Sequence, residues 1–129
     1  MATLKISELS VGDWVRDDYG DYVKVKGIWQ GSNFNYQVDI LRDGRTDTIV
    51  PCNLHPIPIT AEILEANGFE RLLERDLFYH SESGLEVAFE DGEWMHTINL
   101  HEYTIHTISG VHHIQHLLRV YGCDKEVNL

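Results

Sequence analysis

Residues 36–50, Tyr36-Gln37-Val38-Asp39-Ile40-Leu41-Arg42-Asp43-Gly44-Arg45-Thr46-Asp47-Thr48-Ile49-Val50, decide how this chain folds. Tyr36, Val38 and Ile40 alternate with Gln37, Asp39 and Leu41, which is the two-residue period of a strand. Asp43-Gly44 follows, and the run Thr46–Val50 comes after it. A two-residue type I′ turn needs positive φ at both central positions, and Asp-Gly meets that demand. The stretch reads as a β-hairpin that Pro51 ends.

The same logic extends toward the N-terminus. Tyr22-Val23-Lys24-Val25-Lys26 alternates strictly, with both valines on one face and both lysines on the other. Gly31-Ser32-Asn33 breaks that strand. Asp18-Tyr19-Gly20-Asp21 is a turn signal, and Trp14–Arg16 is a short strand after Gly12-Asp13. Leu54–Ile57 supplies a fifth strand. Five short strands so close together predict an SH3-like five-stranded β-barrel or roll over residues 1–58.

Beyond it, Pro56-Ile57-Pro58-Ile59 is extended, because each proline keeps its predecessor out of the helix. A short helix follows: Thr60 caps it, Ile59 staples onto Leu64, and Gly68 suits its left-handed end. Leu77–His80, Leu85–Phe89 and Trp94–Ile98 read as strands, joined by Ser83-Gly84 and Asp91-Gly92. Tyr103–Thr107 adds a fourth. A last helix runs from about Gly110 to Tyr121 and stops at Gly122, with Val111, Ile114, Leu117, Leu118 and Tyr121 as its apolar stripe. The expected fold is α+β: the N-terminal barrel-like unit, then a unit over 59–129 made of a short helix, an antiparallel meander and a C-terminal amphipathic helix. Periodicity leaves open whether the two share one core.

The chain has 129 residues, of which 43% are hydrophobic and 24% charged, so it can bury a core without disulfides or metal. The opening MATLKISELSVGDW carries no basic, apolar leader, and no run reaches the ~18 apolar residues of a spanning helix. Cys52 and Cys123 form no framework, which fits a reducing compartment. The expected location is cytoplasmic, with no membrane partner. Net charge is −11, and it is uneven. Residues 1–57 hold 6 basic against 8 acidic side chains; residues 58–129 hold 4 against 13. Such a field repels phosphates, which disfavours nucleic acid.

Three stretches carry a resemblance: Ile6-x-x-Leu9-x-x-Gly12-Asp13-Trp14-Val15, Pro56-Ile57-Pro58-Ile59-Thr60-x-x-Ile63-Leu64-x-x-Asn67-Gly68-Phe69, and Val111-His112-x-x-Gln115-x-Leu117. Together they resemble short conserved hypothetical proteins of Bacteroidetes and their phage-like or mobile elements. The resemblance implies a bacterial intracellular setting, draws attention to His112 and Gln115, and supplies no activity or catalytic residue.

Two groups of side chains are candidate sites. Trp14, Tyr22, Trp29, Phe34 and Tyr36 crowd the first half, and such rings on a small barrel hold peptides or cationic groups; otherwise they fill the barrel core. Six of eight histidines fall between residues 96 and 116. On a helix, His112 and His116 lie four apart, the spacing with which two imidazoles chelate an ion such as zinc. A third ligand would come from His101, Glu102 or His106. The acidic groups at Asp17, Asp18 and Asp21 read as solvated turn charges. No nucleophile elbow or phosphate-binding glycine loop is present. These readings point to a non-enzymatic interaction or accessory protein, without a cofactor, that binds another protein or itself. The alternative is a small metal-binding protein or metal-dependent hydrolase built on His112 and His116.

Overall fold

The computed structural model describes residues 4–31, 35–72, 76–99, 102–123 and 125–129, of which 97–99 and 102–106 are described by backbone alone. The chain divides into two compact units, Met1–Ile57 and Pro58–Leu129. Both pair antiparallel strands in sequence order, and the second adds helices, so the class is α+β.

In the first unit, β1 (Trp14–Arg16), β2 (Tyr22–Gln30), β3 (Tyr36–Arg42) and β4 (Arg45–Ile49) form an open sheet of order β1-β2-β3-β4 among the described residues. Asp43 and Gly44 have φ of 47° and 78°, so the β3–β4 connection is the expected type I′ turn. The barrel-like reading needs correction at its fifth strand. Leu54–Ile57 contributes a single antiparallel bridge, His55 to Arg16, instead of a strand. Pro51 starts a 3-10 turn at Pro51–Asn53, and Pro56 lacks the N–H that would continue the ladder.

A one-residue bulge between Val25 and Gly27 resets the parity of β2, so that Val23 and Val25 before it and Ile28 after it share one face. Val15, Val38 and Ile40 join them, and Leu4, Leu9 and Leu54 close the core. Every member is aliphatic. Asp13 is buried beside it, and its carboxylate accepts the Ser10 N–H at 2.8 Å. Its backbone carbonyl also accepts the Val25 N–H at 2.8 Å. The Gly12-Asp13 pair therefore fastens the entry loop to β2.

The second unit opens with α1 (Ala61–Ala66), whose Thr60 Oγ1 accepts the Ile63 N–H as the sequence predicts. Gly68 (φ +88) ends it in the left-handed region. A meander follows: β5 (Phe69–Arg71), β6 (Leu77–His80), β7 (Leu85–Glu90), β8 (Glu93–Asn99) and β9 (Glu102–Thr107), paired in that order. β5 is an addition to the three or four strands expected. It starts right after the helix cap and is too short to show periodicity.

The final helix is α2 (Val111–Val120), and Gly122 (φ +83) stops it. The buried face of α2 differs from the apolar stripe. Val111, Ile114 and Leu118 are buried as expected, but His112 and Gln115 are buried with them, while Tyr121 is exposed. Val111, Ile114 and Leu118 border a small apolar cavity together with Ile59, Leu64 and Phe69, so this part of the stripe is spent on the unit's own core. Among the described residues, no helix is long and apolar enough to cross a membrane.

Candidate functional site

Strand register sorts the aromatic candidates. Val15 and Val23 pair on the core face, so their neighbours Trp14, Tyr22 and Lys24 stand on the outer face. Trp29, opposite Gln37, returns to that outer face after the bulge. Tyr36 shares the parity of Val38 and Ile40 and lies at the end of the opposite face. Phe34 lies outside the described residues. The described rings therefore do not gather into one cage; Trp14 and Tyr22 sit on one stretch of the outer face, and Trp29 sits farther along it.

Among the described rings, none belongs to the buried core of the unit. Tyr22, Trp29 and Tyr36 are 47%, 46% and 44% exposed. Trp29 is nevertheless held in place. Its Nε1–H donates to Asp39 Oδ1 at 3.2 Å, and Thr48 Oγ1 donates to the same oxygen at 2.8 Å. Asp39 sits opposite Gly27, where a Cβ would stand in ordinary contact with the carboxylate, 3.5 Å from Oδ2. Asp39 has no basic partner among the described residues. A fixed indole beside an uncompensated carboxylate offers a cation both a π face and a counter-charge.

The β1–β2 turn below this face is built by Asp17, which the sequence reading took for a solvated charge. Asp17 is buried. Its Oδ1 accepts the Tyr19 and Asp21 N–H groups, both at 2.9 Å, and Arg42 pairs with its other oxygen. Burial works against its charge, but the backbone donors and Arg42 outweigh burial, and the carboxyl is held below its ordinary range. Arg42 also reaches Asp21 at 3.2 Å and Asp47 at 3.4 Å. Asp18 contacts His55 Nε2 at 2.6 Å. This acidic cluster is structural.

His112 is only 1% exposed, His116 is half-buried, and their rings meet edge to face with centroids 5.9 Å apart. His96 and His113 lie in a similar edge arrangement at 6.2 Å. Of the third ligands considered, His101 lies outside the described residues, as do the side chains of Glu102 and His106. Among the described residues, the donors that converge as a metal would require are other ones: His80, Glu82 and Cys123, whose ligand atoms all lie within 4.8 Å of one another.

Each of the three is positioned by local structure. His80 ends β6, its ring packs 4.9 Å from that of Phe69, and its Nδ1 lies 2.7 Å from Ser83 Oγ. The other ring nitrogen faces Gly68, where a Cβ would stand 3.3 Å from Nε2. Glu82 is on the turn between β6 and β7. Cys123 follows the left-handed Gly122, and its N–H donates to Leu118 O at 2.8 Å. Its sulfur lies 4.0 Å from Glu82 Oε2, which Lys125 Nζ contacts at 2.8 Å. Lys125 holds the Glu82 carboxyl below its ordinary range, and Glu82 holds the ammonium above its own. The group lines a cleft of about 240 Å³. Nothing in the sequence marks it, because His-x-Glu is a common spacing and Cys123 lies more than forty residues away.

Comparison with protein-family models, curated proteins and solved structures returned no match.

Proposed function

We propose that this chain is a non-enzymatic interaction protein, an accessory of a bacterial or phage-like element. On this reading the first unit is an SH3-like roll that grips a protein segment on its outer sheet face. The observation that carries the reading is the exposure of Tyr22 and Trp29 on the outer face, outside an all-aliphatic core. Exposed rings of this size cost solubility and add nothing to the core, so a partner that covers them accounts for their presence. The Trp29–Asp39 pair favours a segment that presents a lysine or arginine.

The test is affinity capture with the wild-type chain beside Trp29→Ala and Asp39→Asn, followed by anisotropy titration of peptides from the captured partner. A cationic peptide whose affinity drops about tenfold or more in Trp29→Ala supports the reading. Equal binding to wild type and variant sinks it, and so does any turnover that depends on a specific side chain. A dimer that Trp29→Ala dissolves would assign the face to a second copy of the chain.

A further inference from the structure

We propose that His80, Glu82 and Cys123 bind a divalent transition-metal ion of the zinc class. An imidazole nitrogen, a thiolate and a carboxylate are the mixed donor set that a borderline-soft ion prefers. Bonds of about 2.0–2.3 Å put the ligand atoms of a tetrahedral site roughly 3.3–3.8 Å apart. The three donors already lie within 4.8 Å, so closure asks for about 1 Å of movement. Glu82 can supply it, since it is exposed and stands on a turn.

The two other donors are fixed by the fold. Cys123 is placed by the end of α2, and the His80 ring is wedged between Phe69, Ser83 and Gly68. Metal at Nε2 requires the ring proton on Nδ1, where Ser83 Oγ accepts it; the Ser83 N–H, 3.2 Å from Nδ1, then gives way. The thiol proton of Cys123 leaves to solvent as the bond to sulfur forms. Lys125 competes for Glu82, but the pair is exposed and weakly held, so the ion displaces it. The cleft leaves the fourth position open to water or a small anion.

The experiment is titration of tag-free protein with Zn²⁺ against a chromophoric chelator, with Co²⁺ absorbance read in parallel. One ion per chain and a thiolate-to-cobalt charge-transfer band are expected. Both should be lost in Cys123→Ala. Glu82→Gln should bind about tenfold more weakly while melting at the wild-type temperature, which keeps the test valid if the cysteine variant folds poorly. Lys125→Gln, which frees the carboxylate, should tighten binding, and Cys52→Ala should leave it unchanged. Absence of stoichiometric binding overturns the proposal. So does binding that survives both Cys123→Ala and Glu82→Gln, or that disappears with His112→Ala or His116→Ala instead.

Discussion

Phe69 and Phe78 of the second unit and Tyr22 and Trp29 of the first are all strand aromatics, yet the former pair is 3% and 1% exposed while the latter stands half in water. In the second unit Phe69 and Phe78 join an otherwise aliphatic core: Phe78 packs 5.7 Å from Trp94 and Phe69 meets His80, while Phe89, 5.1 Å from Trp94, is exposed. The first unit fills its core with Val, Ile and Leu and leaves Tyr22, Trp29 and Tyr36 outside. Strand parity makes the difference. In β2, Val23 and Val25 hold the inward positions, so the residues between and beside them face out whatever their size. In β6 and β7 the inward positions fall to Phe78, His80, Leu85 and Val87. A strand ring is thus a core residue at Phe78 and a contact residue at Trp29, according to the face its position takes.

Truncation should separate the two kinds of ring. Phe78→Ala removes a fully buried side chain and is expected to cost roughly 3–5 kcal/mol, read from urea unfolding. A loss below about 1 kcal/mol would mean that this core collapses around the gap, and the contrast would weaken. Asp17→Asn is the next largest. It keeps one oxygen for the Tyr19 and Asp21 N–H groups but removes the charge and sets an amide NH2 against Arg42, and should cost roughly 2–3 kcal/mol.

The acid side of the stability curve sharpens that prediction. The folded Asp17 carboxyl titrates below its ordinary 3.8, so its contribution is complete above that value and is lost as pH falls through the lower folded one. Asp17→Asn should flatten this part of the curve. An unchanged acid slope would show that other carboxylates govern acid unfolding. Gly44→Ala forces a side chain into φ +78 at the hairpin turn and should cost about 1 kcal/mol by the same unfolding measurement. Trp29→Ala is the smallest, within about 0.5 kcal/mol, because the ring is exposed and outside the core. A larger loss would place Trp29 among the stabilising residues and remove the contrast with Phe78.

Local features were legible before any coordinates. Asp43-Gly44 and Asp91-Gly92 both take positive φ at both positions, as type I′ hairpins demand. Thr60, Gly68 and Gly122 bound their helices where their chemistry places them. Less was legible where the answer depends on a distant neighbour. The segment 54–57 has strand-like composition, but Pro56 and the edge of β1 reduce it to one bridge. The apolar stripe of α2 leaves out His112 and Gln115, whereas the helix buries them. By sequence Trp14, Trp29 and Tyr36 fit a barrel core better than a binding face, and only the bulge at Val25/Gly27 settles which way Trp29 points.

The sequence by itself determined turns, caps, strand periods and charge, because each rests on backbone preferences or patterns within a few residues. It also determined that the chain is α+β. The tertiary structure alone decided which face of each strand is dry, that Asp17 is a buried anchor, and that His80, Glu82 and Cys123 meet. Those outcomes depend on register and on how a helix end meets a turn dozens of residues away, and side-chain order along a chain carries no record of distance in space.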